Sequence, residues 1–169
     1  ILTGVIAPNG GQVLVDGKPA QFHSPNAARR AGISAVYQEL SLIPNLTIAE
    51  NIWLAHEPLR AGLVNRRAMA ERTQALLDLF KGMVRATVEP NALVSDLTPD
   101  ERQIVEILKM LSFDPRLIIL DEATASLDSR QVNRLLELVR EWKAQGIAVV
   151  LVSHRMEEIF RIADKATVL

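Results

Sequence analysis

The sequence contains no cysteine, which excludes disulfides, thiolate metal sites and iron–sulfur ligation and is compatible with a reducing cytosol. Aromatic residues are scarce at 4% while apolar residues reach 49%, so the core must be packed from aliphatic side chains, as in parallel strands covered by helices on both faces. An excess of charge of one sign is also missing. Nineteen basic residues stand against twenty acidic ones, a net charge of −1, which leaves no basic field for nucleic acid or anionic lipid. Any phosphate binding must therefore be local. Long hydrophobic runs are lacking too: the longest, Ile147 to Val152, is far shorter than the ~20 residues of a membrane-spanning helix, and no charged leader precedes an apolar stretch.

What is present is concentrated in Leu117-Ile118-Ile119-Leu120-Asp121-Glu122, a short apolar run ending in adjacent carboxylates. It reads as a buried strand that delivers acids to the carboxyl edge of a sheet, where nucleotide enzymes place magnesium and a base. Ala123 to Asp128 follows, and a second apolar strand, Ile147 to Val152, ends in Ser153-His154. Between them Val132, Leu135, Leu136, Val139 and Trp142 recur at helical spacing until Gly146, so strand, helix and strand form a parallel crossover.

Upstream, Pro8-Asn9-Gly10-Gly11 is a break, and Val13-Leu14-Val15 with Asp16-Gly17-Lys18-Pro19 predicts a strand and tight turn. Ser24-Pro25 opens a helix to Ala31 that Gly32 ends. Ile33 to Tyr37 then forms a short strand delivering Gln38. From Thr47 to about Phe80 the pattern is helical, with a capping box at Thr47-Ile48-Ala49-Glu50 and apolar Met69, Leu76, Leu77 and Phe80. A further helix is expected from Pro99 to about Leu111, with Asp114-Pro115 separating it from the central strand. Three segments result: 1–46, partial α/β with a small β piece; 47–113, helical; and 114–169, the α/β core. The end at Thr167-Val168-Leu169 reads as mid-strand and Ile1 is no start, so a piece truncated at both ends is expected.

Gln38, then Leu97-Thr98-Pro99-Asp100-Glu101-Arg102-Gln103, then Leu117 to Glu122, Ser126-Leu127-Asp128 and His154 follow one another in an order that resembles an ABC-type ATPase cassette. The resemblance covers nearly the whole chain and implies a P-loop NTPase-like α/β fold with a small helical subdomain. It makes Gln38 the Q-loop glutamine, Asp121 and Glu122 the Walker B pair, Asp128 the D-loop aspartate and His154 the switch histidine. The stretch from Val36 to Ile52 is similar to the first cassette of tandem-cassette bacterial sugar importers. That likeness implies ATP and Mg²⁺ as cofactors, and a second ATPase cassette and transmembrane permease subunits as partners, the latter through the region after Gln38. It further implies an extracellular or periplasmic sugar-binding protein, and a place at the cytoplasmic face of the bacterial plasma membrane.

The sequence departs from that family twice. The phosphate loop G-x-x-x-x-G-K-[ST] is absent: the only Gly-Lys pair is Gly17-Lys18, followed by Pro19. By resemblance Ile1 to Gly4 is the tail of the helix that follows such a loop, and these residues alone are expected to bind ATP poorly. The signature, normally Leu-Ser-x-Gly-Gln, reads Leu97-Thr98-Pro99-Asp100-Glu101. Thr98, Pro99 and Glu101 suit a capped helix start, contributing about 1 kcal/mol, but Asp100 puts a carboxylate where a phosphate should sit.

In the family reading Asp121 holds Mg²⁺ directly or through water, Gln38 contacts metal and attacking water, Glu122 polarises that water, and His154 orients the γ-phosphate. Thr98 belongs to the nucleotide-binding signature, and Asp128 communicates between cassettes. A non-hydrolysing interaction module is the alternative, favoured by the two departures. A DNA-repair or translation cassette is disfavoured by the near-neutral charge. Taken singly, the Asp-Glu pair would be a helix cap, and His154 and Gln38 ordinary polar residues. Arg29-Arg30 and Arg66-Arg67 read as solvated faces, His23 and His56 lack metal-ligand spacing, and Trp53 and Trp142 read as packing residues.

Overall fold

The computed structural model describes residues 1–15 and 17–168. A hairpin of β1 (Val13–Val15) and β2 (Lys18–Ala20) precedes α1 (Pro25–Arg30) and β3 (Ile33–Val36). Next come α2 (Ile48–Trp53), a second hairpin of β4 (Leu59–Arg60) and β5 (Leu63–Val64), α3 (Arg66–Leu77) and α4 (Pro99–Leu111). β6 (Leu117–Asp121), α5 (Ser129–Ala144), β7 (Ala148–Val152) and α6 (Met156–Ile162) complete the order. The sheet β3-β6-β7 is parallel throughout, with Val36 opposite Leu120 and Asp121 opposite Val152. Two parallel neighbours joined by a helix are what the crossover pattern demands.

Local chemistry starts these helices. Ser24 accepts the Ala27 N–H at 3.2 Å ahead of Pro25, whose missing N–H costs a first-turn residue nothing. Thr47 and Glu50 form a reciprocal capping box, Thr47 N–H to Glu50 Oε2 at 3.0 Å and Glu50 N–H to Thr47 Oγ1 at 3.2 Å. The core gathers Ile118 and Leu120 of β6, fully buried, into one cluster with Ile104, Ile107 and Leu108 of α4 and Leu135, Leu136 and Leu138 of α5. Each such side chain contributes about 1.5–3 kcal/mol by leaving water. Trp142 and Trp53 are packing residues, and Trp53 also donates from Nε1 to Thr73 Oγ1 at 3.0 Å.

Three expectations need correction. The helical pattern from Thr47 to Phe80 is interrupted: α2 ends at Trp53, Ala55 turns at φ 67°, and β4 and β5 reverse at Ala61-Gly62, both at positive φ. A two-residue reversal with both central φ positive forces a hairpin, and exposed Leu59 and Leu63 supply no buried face to hold a helix. Residues Ile1 to Gly4 form a turn closed by Gly4 N–H to Ile1 C=O at 2.9 Å, not a helix. Thr167 and Val168 are in no strand, since no ladder partner defines one. Asp16 of the first turn and Leu169 lie outside the described residues. Among the described residues no helix is long and apolar enough to cross a membrane.

Candidate functional site

The parallel register sets one edge of the sheet. β3 stops at Val36 and β6 at Asp121, and the chain passes Gln38, Glu122 and His154 just beyond the carboxyl ends. In open α/β sheets ligands bind in the crevice at this edge. Glu122 extends the ladder, its N–H bonding Val152 C=O at 2.9 Å, and then turns at φ 50°, a left-handed conformation uncommon for a residue with a side chain. The turn brings Glu122 Oε1 to 3.2 Å from His154 Nδ1. With Nδ1 donating to Glu122, Nε2 is without a hydrogen bond among the described residues, an acceptor in the neutral ring and a donor only when it too carries a proton. The histidine side chain is 68% exposed and the glutamate 30%, so the pair faces solvent without being loose surface charge. Gln38 is exposed in a bend and Asp121 half-buried; among the described residues no hydrogen bond joins either to the Glu122–His154 pair.

The segment after Gln38 is fastened to α4. Ser41 donates to Glu106 from its N–H (3.2 Å) and hydroxyl (2.7 Å), and Lys109 Nζ donates to Ser41 Oγ at 3.0 Å. These bonds tie the loop after Gln38 to the middle of α4.

Thr98 and Asp128 meet elsewhere, around a cavity of about 370 Å³ that Arg85 and Asp100 also line. Asp128 caps α5, its Oδ1 accepting the N–H groups of Arg130 (2.7 Å) and Gln131 (2.8 Å), while Gln131 Oε1 accepts the Asp128 N–H at 2.9 Å. The buried Gln131 amide reaches back to Asp100 Oδ2 at 2.7 Å, and Asp100 Oδ1 accepts from Thr98 Oγ1 at 2.6 Å. Burial pushes the Asp100 carboxyl up, but the bonds from Gln131 and Thr98 outweigh it and hold the group below its usual range. Glu101, 2% exposed, accepts from Arg85 Nε (2.8 Å) and Nη2 (2.6 Å) and from the N–H groups of Thr98 (3.0 Å) and Arg85 (3.2 Å). The Arg85 fork holds its carboxyl down at about 2. Two ionised acids thus occupy the first turn of α4, where the free amides of a helix otherwise attract anions.

The donors suit a hard cation arriving with phosphate. Among the described residues no group of three His, Asp or Glu side chains could hold a metal unaided. Mg²⁺ ordinarily takes one or two carboxylates with waters and substrate phosphates, so the oxygens of Asp121 and Gln38 fit it as part of a nucleotide complex. Gly17-Lys18 lies in the β1–β2 hairpin, where no helix follows to cradle a phosphate. Sequence reasoning singled out neither Gln131, Arg85 nor Glu106. Only Gln131 left a trace, the Asp128-x-x-Gln131 spacing of a capping box.

The sequence profile of the ABC transporter family matches residues 1–125. The ribose import ATP-binding protein RbsA 3 of Rubrobacter xylanophilus is 45% identical over 169 residues, all of this chain and 33% of that protein. The ribose import ATP-binding protein RbsA 1 of Rhizobium johnstonii is 44% identical over 168 residues, 99% of this chain and 32% of its own length. The chain therefore spans about a third of the length of the curated relatives it matches. Among solved structures, an ATP-binding cassette dimer in a post-hydrolysis state bound to ADP and Pi superposes with a TM-score of 0.74 at 22% identity, covering 92% of this chain and 68% of that one. A nucleotide-free ATP-binding cassette from an ABC transporter gives 0.72 at 19% identity, covering 96% and 67%. The fold is that of an ABC ATPase cassette, α/β as its composition suggested, and the chain belongs to the ABC transporter family.

Proposed function

We propose that the protein carrying this chain is the ATP-hydrolysing subunit of a carbohydrate importer, with residues 1–169 forming part of its first cassette. The observation that carries the reading is the Glu122–His154 pair, placed by two adjacent parallel strands at the ligand edge of an ABC fold. The names of the ribose-import relatives support a pentose or similar sugar as the cargo. The three segments 1–46, 47–113 and 114–169 serve as nucleotide-side, signature and core parts.

ATP with Mg²⁺ supplies the phosphoryl group and the charge neutralisation. Asp121 and Gln38 are the residues that would hold the metal. Glu122 polarises the attacking water, and His154 steadies the γ-phosphate by donating from Nε2, which requires a proton on that nitrogen: either the doubly protonated ring with Nδ1 still on Glu122, or the other tautomer with Nδ1 released from it. Thr98 and Asp128 work at the contact with a second cassette. The Ser41–Glu106–Lys109 fastening carries loop movement toward the permease subunits, at the cytoplasmic face of the bacterial plasma membrane. A sugar-binding protein acts on the far side.

General-base assistance is worth about 10²–10⁴-fold in rate, so Glu122→Gln in the intact protein should nearly abolish turnover while sparing ATP binding. Retention of most activity would refute the assignment. One observation favours a second reading for the signature end: Asp100, fixed by Gln131 and Thr98, sets a negative charge where a partner's nucleotide would dock. The composite site completed there turns over slowly or not at all.

A further inference from the structure

Glu158 is a charged residue on α6 that the proposed mechanism does not use, and it is 4% exposed. A carboxylate out of water is costly unless donors surround it, and here three do. Oε2 accepts from Thr124 Oγ1 at 2.9 Å and from Ser153 Oγ at 3.1 Å, while Oε1 accepts from Arg155 Nη1 at 3.3 Å. Ser153 Oγ accepts the Arg155 N–H at 3.0 Å, so the turn on either side of His154 is drawn into the same junction. Thr124 lies just after Glu122 and is itself 2% exposed; Ser153 and Arg155 flank His154. One buried acid therefore joins the loop leaving β6 to the loop leaving β7.

The two residues those loops present meet in one side-chain contact. His154 is mostly exposed, and among the described residues its ring has one hydrogen bond, to Glu122. The backbone bond from Glu122 N–H to Val152 C=O ties the strand ends, but beyond Val152 the junction at Glu158 is what links the Ser153-His154 turn to the loop that follows Glu122, whose turn is already in a left-handed conformation. An apolar residue at position 158 would fill the volume but leave the buried Thr124 hydroxyl without its acceptor.

We infer that Glu158 is a positioning residue: by tying Thr124 to Ser153 it holds His154 against Glu122, and it affects turnover through His154. The inference rests on the ATPase reading of that pair. The test uses the intact importer ATPase with its membrane partners and compares steady-state ATP hydrolysis of the wild type, Glu158→Ala, Glu158→Gln, His154→Ala and the Glu158→Ala/His154→Ala double variant. Glu158→Ala should lower kcat about 10-fold or more, the scale of a misplaced catalytic group, with KM changed less than about 3-fold. Glu158→Gln, which keeps one acceptor oxygen, should recover part of the loss. The double variant should be no slower than His154→Ala alone, a non-additivity that general destabilisation would not produce.

An unchanged kcat in Glu158→Ala, or losses that multiply in the double variant, would overturn the inference. If Glu158→Ala does not fold, Ser153→Ala and Thr124→Val each remove one arm of the junction; each should slow the wild type and be silent in the His154→Ala background, and wild-type kcat in both overturns the proposal. A wild type without turnover overturns the ATPase reading and this inference together. Wild-type turnover unaffected by position 158 overturns this inference alone.

Discussion

The Glu101–Arg85 pair offers the sharpest energetic test. Glu101 sits at the third position of α4, almost wholly buried, with four donors on its two oxygens, two of them from one guanidinium. Its carboxyl falls from 4.5 to about 2 on folding, and each pKa unit is about 1.4 kcal/mol, so the charge contributes at most about 3–4 kcal/mol near neutrality. Arg85 is 53% exposed, and the solvent screening this brings lowers the expectation to about 2 kcal/mol. Glu101→Gln keeps the shape and the cap but removes that charge. The loss should be local, so it is best read by amide hydrogen exchange in peptides spanning residues 81–111, comparing opening free energies of wild type and variant. A group whose folded pKa is depressed stabilises fully above its unfolded pKa and loses that stabilisation as pH falls through the folded value. The difference should therefore be present at pH 7, shrink to about half by pH 3 and vanish near pH 1. A loss below about 0.5 kcal/mol at pH 7, or one equally large at pH 3, would refute the electrostatic account and leave Glu101 as a mere helix cap.

Asp100→Gly opens the first turn of α4 at a stability cost of about 1–2 kcal/mol for the lost bonds to Thr98 and Gln131, yet ATP turnover of the intact protein should stay level or rise. A large fall in turnover with the fold intact would show that Asp100 works with the nucleotide, not against it. Gly4→Ala must place a Cβ 2.5 Å from the Ser24 carbonyl oxygen at φ +72°, and should cost about 2 kcal/mol or more, visible as faster exchange in peptides covering residues 20–31. Normal protection there would mean that the 1–4 turn is not anchored on Ser24.

The helices were the most legible part of the chain. Pro99 to Leu111 and the α5 face of Val132, Leu135, Leu136, Val139 and Trp142 carry caps, period and breaker together, and α4 ends where the sequence said it would. The edge residues Gln38, Asp121, Glu122 and His154 were found because strand ends can be read from apolar runs. Their common edge then follows from parallel pairing alone. The β4–β5 hairpin was missed because Ala61-Gly62 carries only half of the usual turn signal and Leu59 and Leu63 mimic a helical repeat. Gln131, Arg85, Glu106 and Glu158 were missed for another reason. The partners that matter lie far away in the sequence, and a polar residue in a helix or loop looks the same whether it faces water or a distant polar group.

The sequence by itself thus determined the α/β class, the strand–helix–strand crossover and which residues stand at the carboxyl ends of the strands, because periodicity, caps and apolar runs act within a few residues. Tertiary structure alone decided that His154 turns its Nδ1 to Glu122, that Asp100 is locked by Gln131, and that Glu158 joins two loops. Each of these depends on where buried donors and acceptors must find partners once water is gone, a condition that only the packed chain imposes.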